Sequence, residues 1–230
     1  SVAGRTVETM GALRTLMNGE HLSIKGEFLD FDIDPPRISV GRTSPPFYFG
    51  GLSTEARDAA ALGADVYLMW PDTTDEIRRT IDDVSARAAD ARRAVKFGYR
   101  VHIVVRKTTQ EAHAAAAHLI AAVDEEEGRR IRSRSLDSQS AGVRRQAELR
   151  GSSSDEGFAE PVLWTGIGKA RSGCGAALVG SPAEVTEKIL QYRELGLSAF
   201  IFSGYPHIDE AERFAELVLP NLPHGPLDAG

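Results

Sequence analysis

Apolar residues along this chain fall into two kinds of run: short unbroken ones bounded by glycine or proline, and longer ones in which they return every three or four positions. Residues 6–18 are of the second kind, with Val7, Met10, Leu13, Leu16 and Met17 on one stripe and Asn18-Gly19 as the stop. His21 to Pro46 alternates weakly and contains Pro35, Pro36, Pro45 and Pro46, which predicts a loop or small hairpin outside the core. Phe47-Tyr48-Phe49 closed by Gly50-Gly51 predicts a buried strand entering a tight turn, with a helix from about Thr54 to Leu62. Ala64 to Trp70 is a second such strand, stopped by Pro71. Thr73-Thr74-Asp75-Glu76 has the spacing of a capping box and opens a helix running to about Arg93.

The third strand, Phe97 to Arg106, carries the clearest chemical signal. Side chains alternate faces along a strand. Tyr99, Val101, Ile103 and Val105 therefore share one face, and Arg100, His102, Val104 and Arg106 share the other. A guanidinium and an imidazole two residues apart are costly to bury without partners. The pattern fits either a functional site or an edge strand with one solvated face.

Thr108-Thr109-Gln110-Glu111 caps the next helix in the same manner. Residues 129–160 are rich in Arg, Ser, Asp and Gly, with a short helical patch around Val143–Leu149. So long a connection predicts a mobile functional lid inserted in the domain. Residues 166–180 are glycine-rich; Ser181-Pro182-Ala183-Glu184 then caps a helix ending at Gly196. Ala199–Ser203 is the fourth strand and Asp209–Leu219 the closing helix. Strand followed by capped helix, four times, predicts an α/β fold with a parallel sheet. In barrels of that class the chemistry gathers at the loops after the strands.

Composition narrows the classes. A net charge of −6 lacks the basic surface that nucleic-acid binding needs. The single cysteine, Cys174, excludes an internal disulfide and fits a reducing compartment. No apolar run approaches the roughly 20 residues of a membrane span, and the start has no signal-peptide pattern. The expectation is a cytoplasmic protein bound to neither nucleic acid nor membrane. His113 and His118, five apart on a helix, do not share a face for a metal, and no metal site is expected.

Six motifs occur in a fixed order: Phe47-Tyr48-Phe49-Gly50-Gly51, Val66-Tyr67-Leu68-Met69-Trp70, Arg100-Val101-His102, Leu163-Trp164-Thr165-Gly166-Ile167-Gly168, Gly175-Ala176-Ala177-Leu178-Val179-Gly180 and Ser203-Gly204-Tyr205-Pro206-His207. Together they resemble the C-terminal part of the FMNH2-dependent alkanesulfonate monooxygenases of the bacterial-luciferase-like superfamily. Related sulfone and methanesulfonate monooxygenases share much of this pattern. The resemblance implies a (β/α)8 TIM-barrel fold, of which residues 1–230 hold only the last four βα units of one domain, with the insertion at about 129–160.

It also implies a reaction. A separate NAD(P)H-dependent reductase delivers reduced FMN, which activates O2, and an alkanesulfonate breaks down to an aldehyde and sulfite. By resemblance Arg100, His102, Arg171 and Tyr205 are catalytic, and Trp70, Arg100, Arg171 and Tyr205 line the substrate pocket. Gly50, Gly51, Ser53 and His102 would bind the cofactor. The residue types suit that chemistry, since arginine's planar fork binds sulfonate oxygens in pairs. Taken singly, each residue also has a plainer reading. Arg171 between Ala170 and Ser172 could be a solvated charge, Trp70 simple core, and Tyr205 packing against Pro206.

A complete barrel takes about 250 residues. Four βα units leave two sheet edges unpaired. The chain alone is therefore expected to be inactive, and to need a second copy or a second chain supplying the first half of the barrel. The alternatives are a non-catalytic flavin- or partner-binding remnant and a related deazaflavin-dependent oxidoreductase.

Overall fold

The computed structural model describes residues 2–134, 140–170 and 173–227. The chain divides into two compact units, Ser1–Leu68 with Thr80–Phe97, and Met69–Arg79 with Gly98–Asp228. Among the described residues no helix is long and apolar enough to cross a membrane.

The first unit begins with helix α1 (Val2–Met17) and a two-stranded antiparallel hairpin, β1 (Leu22–Lys25) and β2 (Asp30–Ile33). The Pro-flanked segment thus contains a hairpin, tied to α1 by the Glu8 carboxylate, which accepts from the Phe28 and Leu29 N–H groups. Strand β3 (Tyr48–Phe49) runs parallel to β4 (Val66–Met69), with α2 (Thr54–Gly63) between them. Helix α3 (Thr74–Asp90) and strand β5 (Lys96–Val105) begin in one unit and end in the other. Within the first unit Arg57 and Arg87 reach the Asp83 carboxylate at 2.7 and 2.9 Å. Those hydrogen bonds, Arg57 foremost, hold its pKa below the usual carboxylate range.

The second unit is built on β5. Its residues 102–105 pair in parallel with β8 (Ala177–Gly180), and β9 (Leu197–Ser203) also pairs with β5. An antiparallel hairpin, β6 (Phe158–Glu160) and β7 (Leu163–Trp164), extends the sheet from β8. Helices α4 (Thr109–Ile120), α5 (Glu125–Arg134) and α6 (Ala141–Gly151) follow β5 in sequence; α7 (Pro182–Glu194) joins β8 to β9, and α8 (His207–Leu217) follows.

Strand β8 goes beyond the four strands read from the sequence. Its Ala-Leu-Val run is short and ends in Gly180, so its pattern merges with the glycine-rich passage, yet all four residues are buried. The stretch expected as a lid, of which residues 135–139 lie outside the described residues, is also more regular than its composition suggested. It contributes to α5, α6 and β6, because Gln146 and Leu149 find buried positions that periodicity alone did not reveal.

Helix starts follow the sequence at two of the three predicted boxes. Thr108 and Ser181 each accept from the N–H three residues on, and Glu111 and Glu184 reach back to close the box. At α3 Thr73 accepts weakly from Glu76 at 3.4 Å, and the Thr74 N–H goes to Glu160, 86 residues away, at 2.7 Å. The Thr73 N–H, which Glu76 would take in a closed box, goes instead to the neighbouring Asp72 carboxylate at 2.8 Å.

The alternation along β5 is realised. Tyr99 meets Tyr192 of α7, ring centroids 4.7 Å apart and hydroxyls 3.2 Å apart. Burial pushes both phenols above the ordinary tyrosine value, so they stay neutral. On the opposite face Val104 joins a buried cluster with Ala112, Ala116, Trp164, Ile167, Ala177 and Val179, and Tyr205 packs against it.

Candidate active site

Four of the residues singled out from sequence lie in the second unit: Trp70, Arg100, His102 and Tyr205. His102 is 1% exposed. Its Nδ1 lies 2.8 Å from the Ser203 hydroxyl, which projects from the end of β9. The Tyr205 ring sits 5.5 Å from the imidazole, tilted by 32°, and His207 lies edge-on to Tyr205 at 4.9 Å. Strand β5 thus supplies the imidazole, while β9 and the loop after it supply the hydroxyl and the phenol.

Arg100 is half-buried. Its guanidinium forms no hydrogen bond or ion pair with the described residues. Its carbonyl accepts from the buried Cys174 thiol at 3.3 Å, so Cys174 acts here as a packing group. Gly173, next to Cys174, lies against the Trp70 indole: a Cβ there would stand 3.7 Å from the ring. Gly142 of α6 abuts the same indole, where a Cβ would come within 3.1 Å. The 173–175 segment therefore touches Trp70 through one residue and Arg100 through the next. Arg171 lies outside the described residues.

Gln146 and the Asp72–Arg145 pair organise this region and were not singled out from sequence. Gln146 is buried; it donates to the Pro71 carbonyl at 2.6 Å and accepts from the Gly175 N–H at 3.0 Å. Arg145 grips Asp72 with two bonds of 2.6 and 2.7 Å. The Asp72 carboxylate lifts the Arg145 pKa above the ordinary arginine value. Helix α6 is thereby bolted to the turn that carries Trp70. No local signal marks Gln146, because its partners are separated from it by 75 and 29 residues. Ser203 was visible only as part of a motif.

Gly50, Gly51 and Ser53 belong to the first unit, and each has a packing role there. A Cβ on Gly50 would lie 2.4 Å from the Leu68 carbonyl oxygen. Gly51 adopts φ +151° and accepts from the Tyr67 hydroxyl at 2.6 Å. The Ser53 hydroxyl caps α2 by accepting from the Ala56 N–H. Gly50→Ala is accordingly expected to destabilise the ligand-free chain by about 1–3 kcal/mol. Urea unfolding checks this. Unchanged stability would remove the packing role.

The chain can be compared with known proteins on this basis. The family model described as luciferase-like monooxygenase matches residues 2–199. A sulfoquinovose monooxygenase of Novosphingobium aromaticivorans is 55% identical over 225 residues, covering 97% of this chain and 62% of that protein. A sulfoquinovose monooxygenase of Agrobacterium fabrum is 44% identical over 228 residues, covering 96% of this chain and 59% of that protein. The chain thus spans about three-fifths of the length of these relatives. Among solved structures, the oxygenating constituent of 3,6-diketocamphane monooxygenase from Pseudomonas putida, in complex with FMN, shares the fold. Its TM-score is 0.55 at 15% identity, over 94% of this chain and 62% of that one. The α/β fold, the ordered motifs and the family match agree: the chain belongs to the luciferase-like monooxygenase family.

Proposed function

We propose that the chain is the portion of a two-component flavin monooxygenase that binds an organosulfonate and assists cleavage of its carbon–sulfur bond. The observation that carries this reading is Arg100, a half-buried cation with no partner among the described residues, two positions from buried His102. An unpaired arginine in such a place is stabilised when an anion arrives, and sulfonate oxygens match its fork. Both sulfoquinovose monooxygenases are similar to this chain over nearly its whole length, which favours a sulfonated sugar over the simple alkanesulfonate expected from the motifs.

The donor set also suits reduced FMN, whose phosphate and reduced ring are anionic: Arg100, His102 and Tyr205 offer positive charge and hydrogen-bond donors. Bound there, reduced FMN supplies the two electrons that activate O2; a separate NAD(P)H-dependent reductase provides them. Arg100 holds the sulfonate, Tyr205 and His102 donate toward the oxygens at which negative charge develops, and Trp70 gives the pocket an apolar wall. Arg171 is proposed as a closing cation on the resemblance alone. Gly50, Gly51 and Ser53 are proposed as flavin contacts on the same ground. Products are aldehyde, sulfite, oxidised FMN and water.

The partner proposal rests on the sheet. Among the described residues β3 pairs with β4 alone and β9 with β5 alone, while Tyr48 and Ile201 stand 40% and 41% exposed. Such edges call for a second copy or a chain that supplies the rest of the barrel. The isolated 230-residue chain is therefore expected to self-associate and to release no sulfite. The test supplies reduced FMN, O2 and either sulfoquinovose or a linear alkanesulfonate to the chain, alone and joined to the remaining two-fifths of a relative. Its mass in solution is measured alongside. A well-folded monomer turning over at an ordinary rate overturns the need for a partner. Flavin binding without sulfite release in the completed protein points instead to a non-catalytic binding role.

A further inference from the structure

We infer that Glu210 is a positioning residue of the site: with Arg106 it clasps the loop after β9 onto β5, and so sets Tyr205 against His102. The inference deepens the function proposed above and rests on it for what the two rings do; the clasp itself is read without flavin or sulfonate.

Alternation puts Arg106 on the same face of its strand as Arg100 and His102, and the reaction proposed above gives it no part. Its backbone N–H donates to the Gly180 carbonyl of β8 at 3.3 Å, which fixes it at the end of β5. Its guanidinium donates to the Val105 carbonyl at 2.6 Å and reaches Glu210 Oε1 at 2.8 Å. Glu210, in the first turn of α8, is 1% exposed. The same oxygen accepts from Arg213, about one turn on, at 2.7 Å.

The stem of Glu210 meets the loop directly. A Cβ added to Gly204 would lie 2.4 Å from Glu210 Cβ, 2.7 Å from its Cγ and 3.2 Å from the Ile103 carbonyl oxygen of β5. The Gly204 backbone thus fills the angle between β5 and the Glu210 methylenes, with no room for a side chain. Both neighbours of that glycine meet His102: the Ser203 hydroxyl lies 2.8 Å from Nδ1, and the Tyr205 ring 5.5 Å from the imidazole. The Glu210 N–H donates to the Pro206 carbonyl at 3.1 Å, so one residue holds the loop at two points.

Stability alone does not account for this arrangement. Two arginines share one carboxylate oxygen, and Oε2 is buried with no hydrogen-bond partner among the described residues. An unpaired buried polar atom is costly, and a well-packed apolar side chain in place of a buried ion is often neutral or stabilising. The carboxylate supplies what a leucine would not, a directed tie from the loop to the strand that carries His102.

The experiment reads the nuclear Overhauser contact between the Tyr205 and His102 ring protons in the ligand-free 230-residue chain. Histidine and tyrosine are labelled in a deuterated background, and His102→Gln and Tyr205→Leu identify the signals. The wild type should show the cross-peak. Glu210→Leu and Arg106→Met should each lose it while urea unfolding stays cooperative. In the completed enzyme Arg106→Met should lower kcat for sulfite release by about ten- to a hundredfold and leave KM within about threefold. A cross-peak of wild-type strength in either variant overturns the inference, even if stability falls, and so does its absence from the wild type. Failure of both variants to fold makes the cluster structural and overturns it as well. Loss of the cross-peak with unchanged turnover upholds the clasp and overturns only the donor roles proposed for Tyr205 and His102.

Discussion

Glu160→Gln is expected to lower the unfolding free energy of this chain by about 3 kcal/mol at neutral pH. Glu160, on β6, accepts from the Thr74 N–H and hydroxyl at the start of α3, at 2.7 and 2.8 Å. It also accepts from the Lys188 ammonium of α7 at 2.7 Å. Lys188 has only 8% of its side chain exposed, and its ammonium lies 5.0 Å from the centre of the Tyr192 ring. One carboxylate thus joins a strand and two helices, and removing its charge strands a buried cation. Stranding a charge costs far more than an intact pair contributes.

The pH dependence has a definite sign. Burial raises the pKa of Glu160, but the bonds from Lys188 and Thr74 outweigh it and leave the pKa lowered. A carboxylate with a lowered folded pKa contributes stability that is fully present above its ordinary value of 4.5. That contribution is lost as pH falls through the lowered value. The wild-type and Glu160→Gln unfolding curves should therefore converge in acid. Lys188→Met added to Glu160→Gln should cost less than the two single changes summed, since no charge is left buried. Wild-type stability of Glu160→Gln at neutral pH would sink this account.

Residues whose partners are local, or whose pattern is strictly periodic, were legible in the sequence. Alternation along Phe97–Arg106 placed Tyr99 and His102 on opposite faces, and Tyr192 and Ser203 now occupy those faces. The boxes at Thr108 and Ser181 are three-residue relations and formed as read. Glu160 was illegible because its partners are 86 and 28 residues away. Strand β8 was hidden because four apolar residues between Gly175 and Gly180 have no period to measure. At Gly50 and Ser53 the structure adds local roles that the motif did not reveal, a close approach to Leu68 and the cap on α2, beside the flavin contact proposed for them. Within the second unit, the sequence singled out Trp70, Arg100, His102 and Tyr205, which alternation and the motifs mark without reference to distant partners. It did not single out Gln146, which ties the Pro71 carbonyl to the Gly175 N–H.

Arg100→Met is expected to separate binding from stability more sharply than any other single change. In the completed enzyme it should lower kcat/KM for a sulfonate by about a hundred- to a thousandfold, or about 3–4 kcal/mol. That is the loss of two charge-assisted hydrogen bonds to one anion. Arg100→Lys should recover only part of it, because an ammonium cannot place two parallel donors on adjacent oxygens. In the ligand-free 230-residue chain the effect runs the other way. The guanidinium has no partner among the described residues, so replacing it by an unbranched apolar side chain removes a desolvation cost and no bond. Unfolding free energy should stay unchanged or rise by about 1 kcal/mol. A residue kept for structure behaves oppositely, as Glu160 should. Both measurements use the same variant: urea unfolding of the chain alone, and sulfite release from the completed protein. A fall in stability of more than about 1 kcal/mol on Arg100→Met would make Arg100 a structural cation. Unchanged stability together with undiminished turnover would leave the sulfonate without its proposed anchor.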